Sequence, residues 1–234
     1  MSKIIITLIS DTHTKHNELS YNTKDLPGGD LLIHAGDIMN SGRNSNDIID
    51  FCDWFTKQKY DSKIFIAGNH DRMFEDYPEM AMEIVNIYTD INYLQDSYIT
   101  VKNKVKIYGS PWQPVFNSWA FNLPKGGKEL QDIWANIPRD TDILITHGPP
   151  QDHLDVSGAP YNEPHLGCAL LRHHLDTVAK PKIHVFGHIH GSYGYKFDGQ
   201  THYFNASILN EEYEYTNKPI TFDWNSITNE IDFL

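Results

Sequence analysis

Five short apolar runs in this chain each stop at a loop carrying Asp, His or Asn, and this repetition constrains the fold most. The runs cover residues 4–9, 31–34, 63–67, 142–146 and 182–186, rich in Ile, Leu, Val and Phe. Near-continuous β-branched segments of this length are the pattern of strands buried on both faces. Their endings are Ser10-Asp11-Thr12-His13, Ala35-Gly36-Asp37, Gly68-Asn69-His70-Asp71, His147-Gly148-Pro149-Pro150 and Gly187-His188-Ile189-His190. In open α/β sheets the active groups gather where strands end, so the five endings are expected to meet at one edge. His188 and His190 are two apart in what reads as an extended segment, which would aim both imidazoles at one point.

The rest of the chain fills in around these strands. Helical spacing runs through Ile48, Phe51, Cys52 and Phe55, and helices are also expected within 77–85, 127–137 and 166–178. Two hairpins are expected, 93–101 with 104–108 through Asn103, and 193–197 with 201–204 around Asp198-Gly199. A last strand is expected at 220–224, and a long loop through Gly158, Ala159 and Pro160 precedes the helix at 166–178. No repeat, low-complexity tract or linker divides the chain, so residues 1–234 read as a single domain.

Net charge matters for what the site can hold. At −12 the chain lacks the basic surface that binds extended nucleic acid through its phosphates, while bound divalent cations would still admit a small phosphate-bearing substrate. Cys52 and Cys168 are the two cysteines; without a signal segment they read as free thiols in a reducing, cytoplasmic setting. No apolar run is long enough for a bilayer, so no membrane is expected. Carboxylate, imidazole and Asn carbonyl donors together suit a pair of divalent metal ions, Mn²⁺ first, with Fe, Zn²⁺ or Ni²⁺ also accepted by such a set. Asp37 is the natural bridging carboxylate, because Asp11 already sits beside His13.

Each motif alone is weak, but their order, DxH, GD, GNHD, H and GHxH, resembles the calcineurin-like metallophosphoesterase superfamily over residues 4 to 207. That resemblance implies an α/β fold of four layers, two mixed β-sheets in a sandwich flanked by helices, with a dinuclear metal centre at the strand ends. It implies that Asp11, His13 and His190 hold one metal, that Asn69, His147 and His188 hold the other, and that Asp37 bridges them. His70 would be the catalytic histidine. The implied chemistry is hydrolysis of a phosphoester by a hydroxide bridging two metals. In the protein-phosphatase members the second motif reads GDxVDRG; here Asn40 and Ser41 replace its later Asp and Arg. With GNHD in place of GNHE, this departure resembles the cyclic-nucleotide phosphodiesterase branch and implies small phosphodiesters, 3′,5′- or 2′,3′-cyclic nucleotides among them. A phosphomonoesterase and a weakly active metal-binding scaffold are the alternatives.

Substrate contacts are expected from two places. The aromatic stretch at 109–121, with Trp112, Phe116, Trp119 and Phe121, either stacks a flat group near the phosphate or simply covers the sheet edge. Asn40 and Arg43 either reach phosphate oxygens, Arg43 by a forked bond, or remain solvated before a helix. His34 and His184 lie inside strands and are expected to be hydrogen-bonded core histidines. Asp71 either orients a neighbour or begins a helix, and the helix start is the expectation. Glu211, Glu212 and Glu214 read as a solvated face.

Overall fold

The computed structural model describes residues 3–20, 26–158 and 165–234. Its first half runs β1 (Lys3–Ile9), α1 (His16–Ser20), β2 (Gly29–His34), α2 (Ser45–Thr56), β3 (Tyr60–Phe65), α3 (Arg72–Asp76), α4 (Pro78–Val85) and β4 (Ile91–Tyr93). Next come β5 (Ser97–Val101), β6 (Val105–Ser110), β7 (Gln113–Pro114), β8 (Asn122–Leu123), α5 (Lys128–Ala135) and β9 (Ile143–Thr146). The last part is α6 (Ala169–Thr177), β10 (Ile183–Phe186), β11 (Gly194–Phe197), β12 (His202–Asn205), β13 (Ile220–Asn225) and β14 (Ile231–Phe233).

Two six-stranded mixed sheets result, ordered β14-β13-β1-β2-β3-β4 and β11-β12-β10-β9-β6-β5. Strands β1 to β4 run parallel to one another, as do β6, β9, β10 and β12, while β13, β14, β5 and β11 pair antiparallel. The period-two rule sorts each strand between layers. Ile4, Ile6, Leu8, Leu31, Ile33 and Ile64 meet Ile107, Ile143, Ile145, Ile183 and Val185 between the sheets. On the outside of the first sheet, Ile9, Leu32 and Phe65 pack on Phe51 and Phe55 of α2. On the outside of the second, Leu144, Phe186 and Tyr203 pack on Trp134 of α5 and Leu171 of α6. The molecule is thus an α/β fold, two mixed sheets flanked by helices. No helix among the described residues is long and apolar enough to cross a membrane.

Several local expectations need correcting. The segment 93–101 is not one strand: β4 ends the first sheet at Tyr93 and β5 opens the second at Ser97, so the chain changes sheet between them. Leu94 marks the crossing, its side chain buried between the layers. The helix expected within 77–85 is α4, started by Pro78 at its first turn, but α3 precedes it, and α1 and β14 were also unforeseen. The loop expected through Ala159 and Pro160 lies outside the described residues.

Candidate metal centre

Strand ends deliver the side chains, and a tight backbone weave sets them in place. The loop after β1 pairs with the loop after β2 through Asp11 N to the Gly36 carbonyl at 2.9 Å and His13 N to the Asp37 carbonyl at 3.0 Å. Gly187, after β10, passes so close to the β1 loop that an added Cβ would stand 2.0 Å from Asp11 Oδ2. Gly68 is equally confined, with Asp37 Oδ1 at 2.2 Å from the place of a Cβ. Asp11, His13, Asp37 and His188 all hold positive φ, 56°, 42°, 57° and 67°. Four non-glycine residues in the left-handed region within one cluster is strain kept where the surroundings over-determine it.

Among the described residues, donor atoms lie within 4.8 Å of one another in three groupings: Asp11, His13 and His190; Asp37, His147 and His188; and His13, Asp37 and His70. Asp37 Oδ2 stands 3.3 Å from His147 Nε2 and 3.6 Å from His13 Nε2, between the first two sets. Asn69 Oδ1 reaches His147 Nε2 at 2.9 Å. All seven residues that the sequence suggests as ligands therefore converge, and His70 adjoins them. His188 and His190 do not face one point, however. The positive φ at His188 and the 3₁₀ turn at His190–Ser192 break the expected extended segment, so His188 joins Asp37 and His147 while His190 joins Asp11 and His13.

The donor set tests whether a cation fits. His13 Nδ1 lies 3.1 Å from the Met39 carbonyl, His147 Nδ1 3.0 Å from that of Ala35 and His190 Nδ1 2.8 Å from that of Asn210. A carbonyl only accepts, so each Nδ1 carries a proton and each Nε2 is the nitrogen left to hold either a second proton or a cation. Yet His13 Nε2 and His190 Nε2 stand 3.4 Å apart. Two imidazole nitrogens this close share a positive charge, either a proton or a cation in its place. Asp11 and Asp37 are fully buried, and no Lys or Arg pairs with either among the described residues.

The electrostatics of these side chains point the same way. Burial works against protonation of His147, but the charge and hydrogen bond of Asp37 raise it to about 9. Asp11 likewise raises His190 to about 9 against burial. For His13 and His188 burial prevails, lowering them to about 4 and about 3. Burial tends to raise Asp11 and Asp37, yet the surrounding imidazoles hold both carboxyls below the ordinary value. The site draws protons into the places where cations would sit, and metal binding displaces such protons. The residues fit a pair of divalent cations.

Other expected site residues end up differently placed. His70 Nδ1 bonds the Asn40 carbonyl, so Asn40 reaches the site by its backbone while its side chain is exposed. Arg43 is not among the residues lining the cleft: its Nε binds Asp76 at 2.7 Å. Trp112 is half-buried and packs against the cores outside both sheets rather than lining the cleft, its indole N–H held by Asp96 at 2.7 Å and its ring edge-on to Phe121 at 5.4 Å. Phe116 does line the site, 5.6 Å from the His188 ring. Trp119 stacks on His70 at 4.1 Å and 22°. His34 and His184 are core histidines bonded to Thr12 and Thr146 at 3.0 and 2.9 Å, although His184 Nδ1 has no partner.

Asp71 does begin a helix, as expected, but its side chain works elsewhere. It precedes α3 but makes no capping bond there. Its buried carboxylate instead accepts from Met39 N at 2.8 Å, Ile38 N at 3.2 Å and Gly68 N at 2.7 Å, lacing the Asp37 loop to the Asn69–His70 loop. Glu211 is more than a solvated residue, since Gly158 N donates to it at 3.0 Å and it lines the site. Tyr213, unflagged in the sequence, stands over His13 at 4.8 Å and His190 at 5.3 Å. Nothing in the run Glu211-Glu212-Tyr213-Glu214 could have announced that contact. The cleft above the centre has a volume of about 430 Å³.

A sequence model of the calcineurin-like phosphoesterases matches residues 4–192. Metallophosphoesterase domain-containing protein 1 of Homo sapiens is 40% identical over 235 residues, covering 92% of this chain and 69% of that one. UPF0046 protein T07D4.2 of Caenorhabditis elegans is 36% identical, covering 89% and 57%. Among solved structures, TT1561 of Thermus thermophilus superimposes with a TM-score of 0.67 at 14% identity, covering 99% of this chain and 98% of that one, a likeness of fold. With its residues at the strand ends and its sequence in agreement, the chain belongs to the calcineurin-like phosphoesterase family, metal-dependent hydrolases of phosphoesters.

Proposed function

We propose that this chain is a dinuclear-metal phosphodiesterase for small phosphodiesters such as cyclic nucleotides. Asp11, His13 and His190 would hold one cation and Asn69, His147 and His188 the other, with Asp37 shared. Bound there, two divalent cations, Mn²⁺ first among candidates, supply Lewis acidity toward phosphoryl oxygens and acidify water. The chain supplies the rest. Its backbone fixes the donors, and Nδ1 of His70, held by the Asn40 carbonyl, keeps the proton, so Nε2 is the atom free to exchange one with the reacting ester. Trp119 against one ring face and His13 edge-on at 4.6 Å limit rotation of that imidazole.

The composition of the cleft carries the preference for a diester. Lys125 is the one Lys or Arg among its described lining residues, and Glu211 adds an acidic group, while Pro114, Val115, Phe116 and Leu166 give it an apolar wall. A monoester dianion gains most from clustered Arg or Lys donors. A diester carries a single charge and brings an organic group on each side, which apolar walls suit. Cys52 and Cys168, buried and unpaired, support a cytoplasmic setting.

Metal-stripped protein assayed with and without Mn²⁺ on bis-p-nitrophenyl phosphate and p-nitrophenyl phosphate tests this. Metal-dependent cleavage at least about tenfold faster in kcat/KM for the diester is expected, a difference of about 1.4 kcal/mol. Faster cleavage of the monoester would make the chain a phosphatase instead.

A further inference from the structure

Two aromatic rings are left partly exposed in one cleft. Phe116 and Tyr213 are 38% and 37% exposed, and each lies against a different set of candidate ligands. Phe116 stands edge-on to His188 at 5.6 Å, on the side of Asp37 and His147. Tyr213 stands near edge-on to His13 at 4.8 Å and 5.3 Å from His190, on the side of Asp11. Both line the cleft over Asp37.

Tyr213 is held there by specific local geometry. Its φ is +61°, a conformation costly for an aromatic residue. The turn that imposes it is built on Asn210, whose Oδ1 accepts from Glu212 N at 3.0 Å and Glu214 N at 2.8 Å, while Tyr213 N donates to the Asn210 carbonyl at 3.0 Å. That same carbonyl receives Nδ1 of His190. The placement of the Tyr213 ring is thus tied to the placement of a candidate ligand. An exposed aromatic side chain in a strained turn at the mouth of a site is surface available to a ligand.

We infer that Tyr213 is a specificity-determining residue, packing against one ester arm of a phosphodiester while Phe116 packs against the other. The inference rests on the phosphodiesterase reading and narrows it, from cyclic nucleotides, whose two ester oxygens belong to one sugar, to acyclic diesters that carry a flat or apolar group on each ester oxygen. Each ring contributes surface for offset or edge-on contact with a flat group. The ring of Tyr213, rather than its hydroxyl, is the recognising element.

Binding can be read separately from turnover. Calorimetric titration of the Mn²⁺-loaded protein with diphenyl phosphate and with methyl phenyl phosphate gives affinities for two aryl arms and for one. Tyr213→Ala and Phe116→Ala are each expected to weaken diphenyl phosphate about tenfold. Tyr213→Phe should restore affinity to within about twofold, which a general structural defect at the turn would not allow. For methyl phenyl phosphate, which has a single aryl arm, the two alanine variants together should cost no more than about tenfold. Unchanged diphenyl phosphate affinity in Tyr213→Ala, or failure of Tyr213→Phe to restore it, would overturn the inference. Were turnover of bis-p-nitrophenyl phosphate normal in that case, the phosphodiesterase reading would survive. Conversely, aryl-dependent binding without hydrolysis would sink that reading and leave the two-wall inference standing.

Discussion

The orientation of His70 comes from a main-chain carbonyl. Where the protein-phosphatase motif has a carboxylate, this chain has Asn40, and the Asn40 backbone oxygen accepts from Nδ1. A neutral carbonyl fixes the tautomer without adding a full negative charge behind the ring. His70→Ala should therefore lower kcat by about 10²- to 10⁴-fold, the usual worth of a positioned acid or base. Metal content, measured by elemental analysis of the purified variant, should stay the same. His70 also falls within a donor grouping with His13 and Asp37, so loss of a metal on substitution would make it a ligand instead. At this scale the sequence identified the convergent residues well. It could not reveal that Asn40 would act through its backbone or that Arg43 would be captured by Asp76, because side-chain competition depends on who is near.

Loops matter more than strands at the next scale. Asp71 receives amide protons from Gly68, Ile38 and Met39 with both carboxylate oxygens, so it joins two loops that carry Asp37, Asn69 and His70. Burial and the nearby Asp37 charge push its carboxyl up from the ordinary value, against the pull of those amides. An Asn at this position keeps one acceptor oxygen and turns an NH₂ toward an amide donor. Asp71→Asn should weaken metal binding roughly 10- to 100-fold, the scale of losses when groups supporting ligands are removed. Competition with a chromophoric chelator would measure it, and unchanged affinity would show that the lacing is dispensable. Strand positions were legible because apolar runs of four to six residues leave few alternatives. The sheet change between Tyr93 and Ser97 was not, since alternation continues across it and a hairpin fits the same letters.

Across the whole molecule, each of the two sheets places a buried histidine on its outer, helix-covered face. His34 bonds Thr12 and His184 bonds Thr146, and burial lowers both, His34 to about 3. An unfolded chain takes up these protons near pH 6.5, whereas the folded chain does not. Their stabilising contribution is therefore present above pH 6.5 and lost as pH falls from there toward 3. Each group contributes a slope of up to about 1.4 kcal/mol per pH unit. Urea unfolding of metal-free protein at pH 6, 5 and 4, below the window in which His147 and His190 act in the opposite sense, should show falling midpoints, and His184→Gln should flatten that acid limb. Metal acts in the opposite sense, because it binds the folded site alone. At a free Mn²⁺ concentration of a hundred times Kd, stability should rise by about 2.7 kcal/mol, seen as a higher Tm by calorimetry.

What the sequence determined by itself was local and repetitive: buried strands, the residues at their ends, the chemistry those donors share, and a resemblance that set their order. Hydrophobic period and residue type are properties of neighbours along the chain, so they can be read without coordinates. Tertiary structure decided what depends on contact between distant segments. It separated His188 from His190 by a turn of positive φ, held Trp112 away from the cleft and placed Phe116 in it, and swung Tyr213 over His13 from a region with no motif. The physical reason is the same in each case. A side chain's partner is set by competition among whatever groups the fold brings within a few ångströms, and that list is written nowhere along the chain.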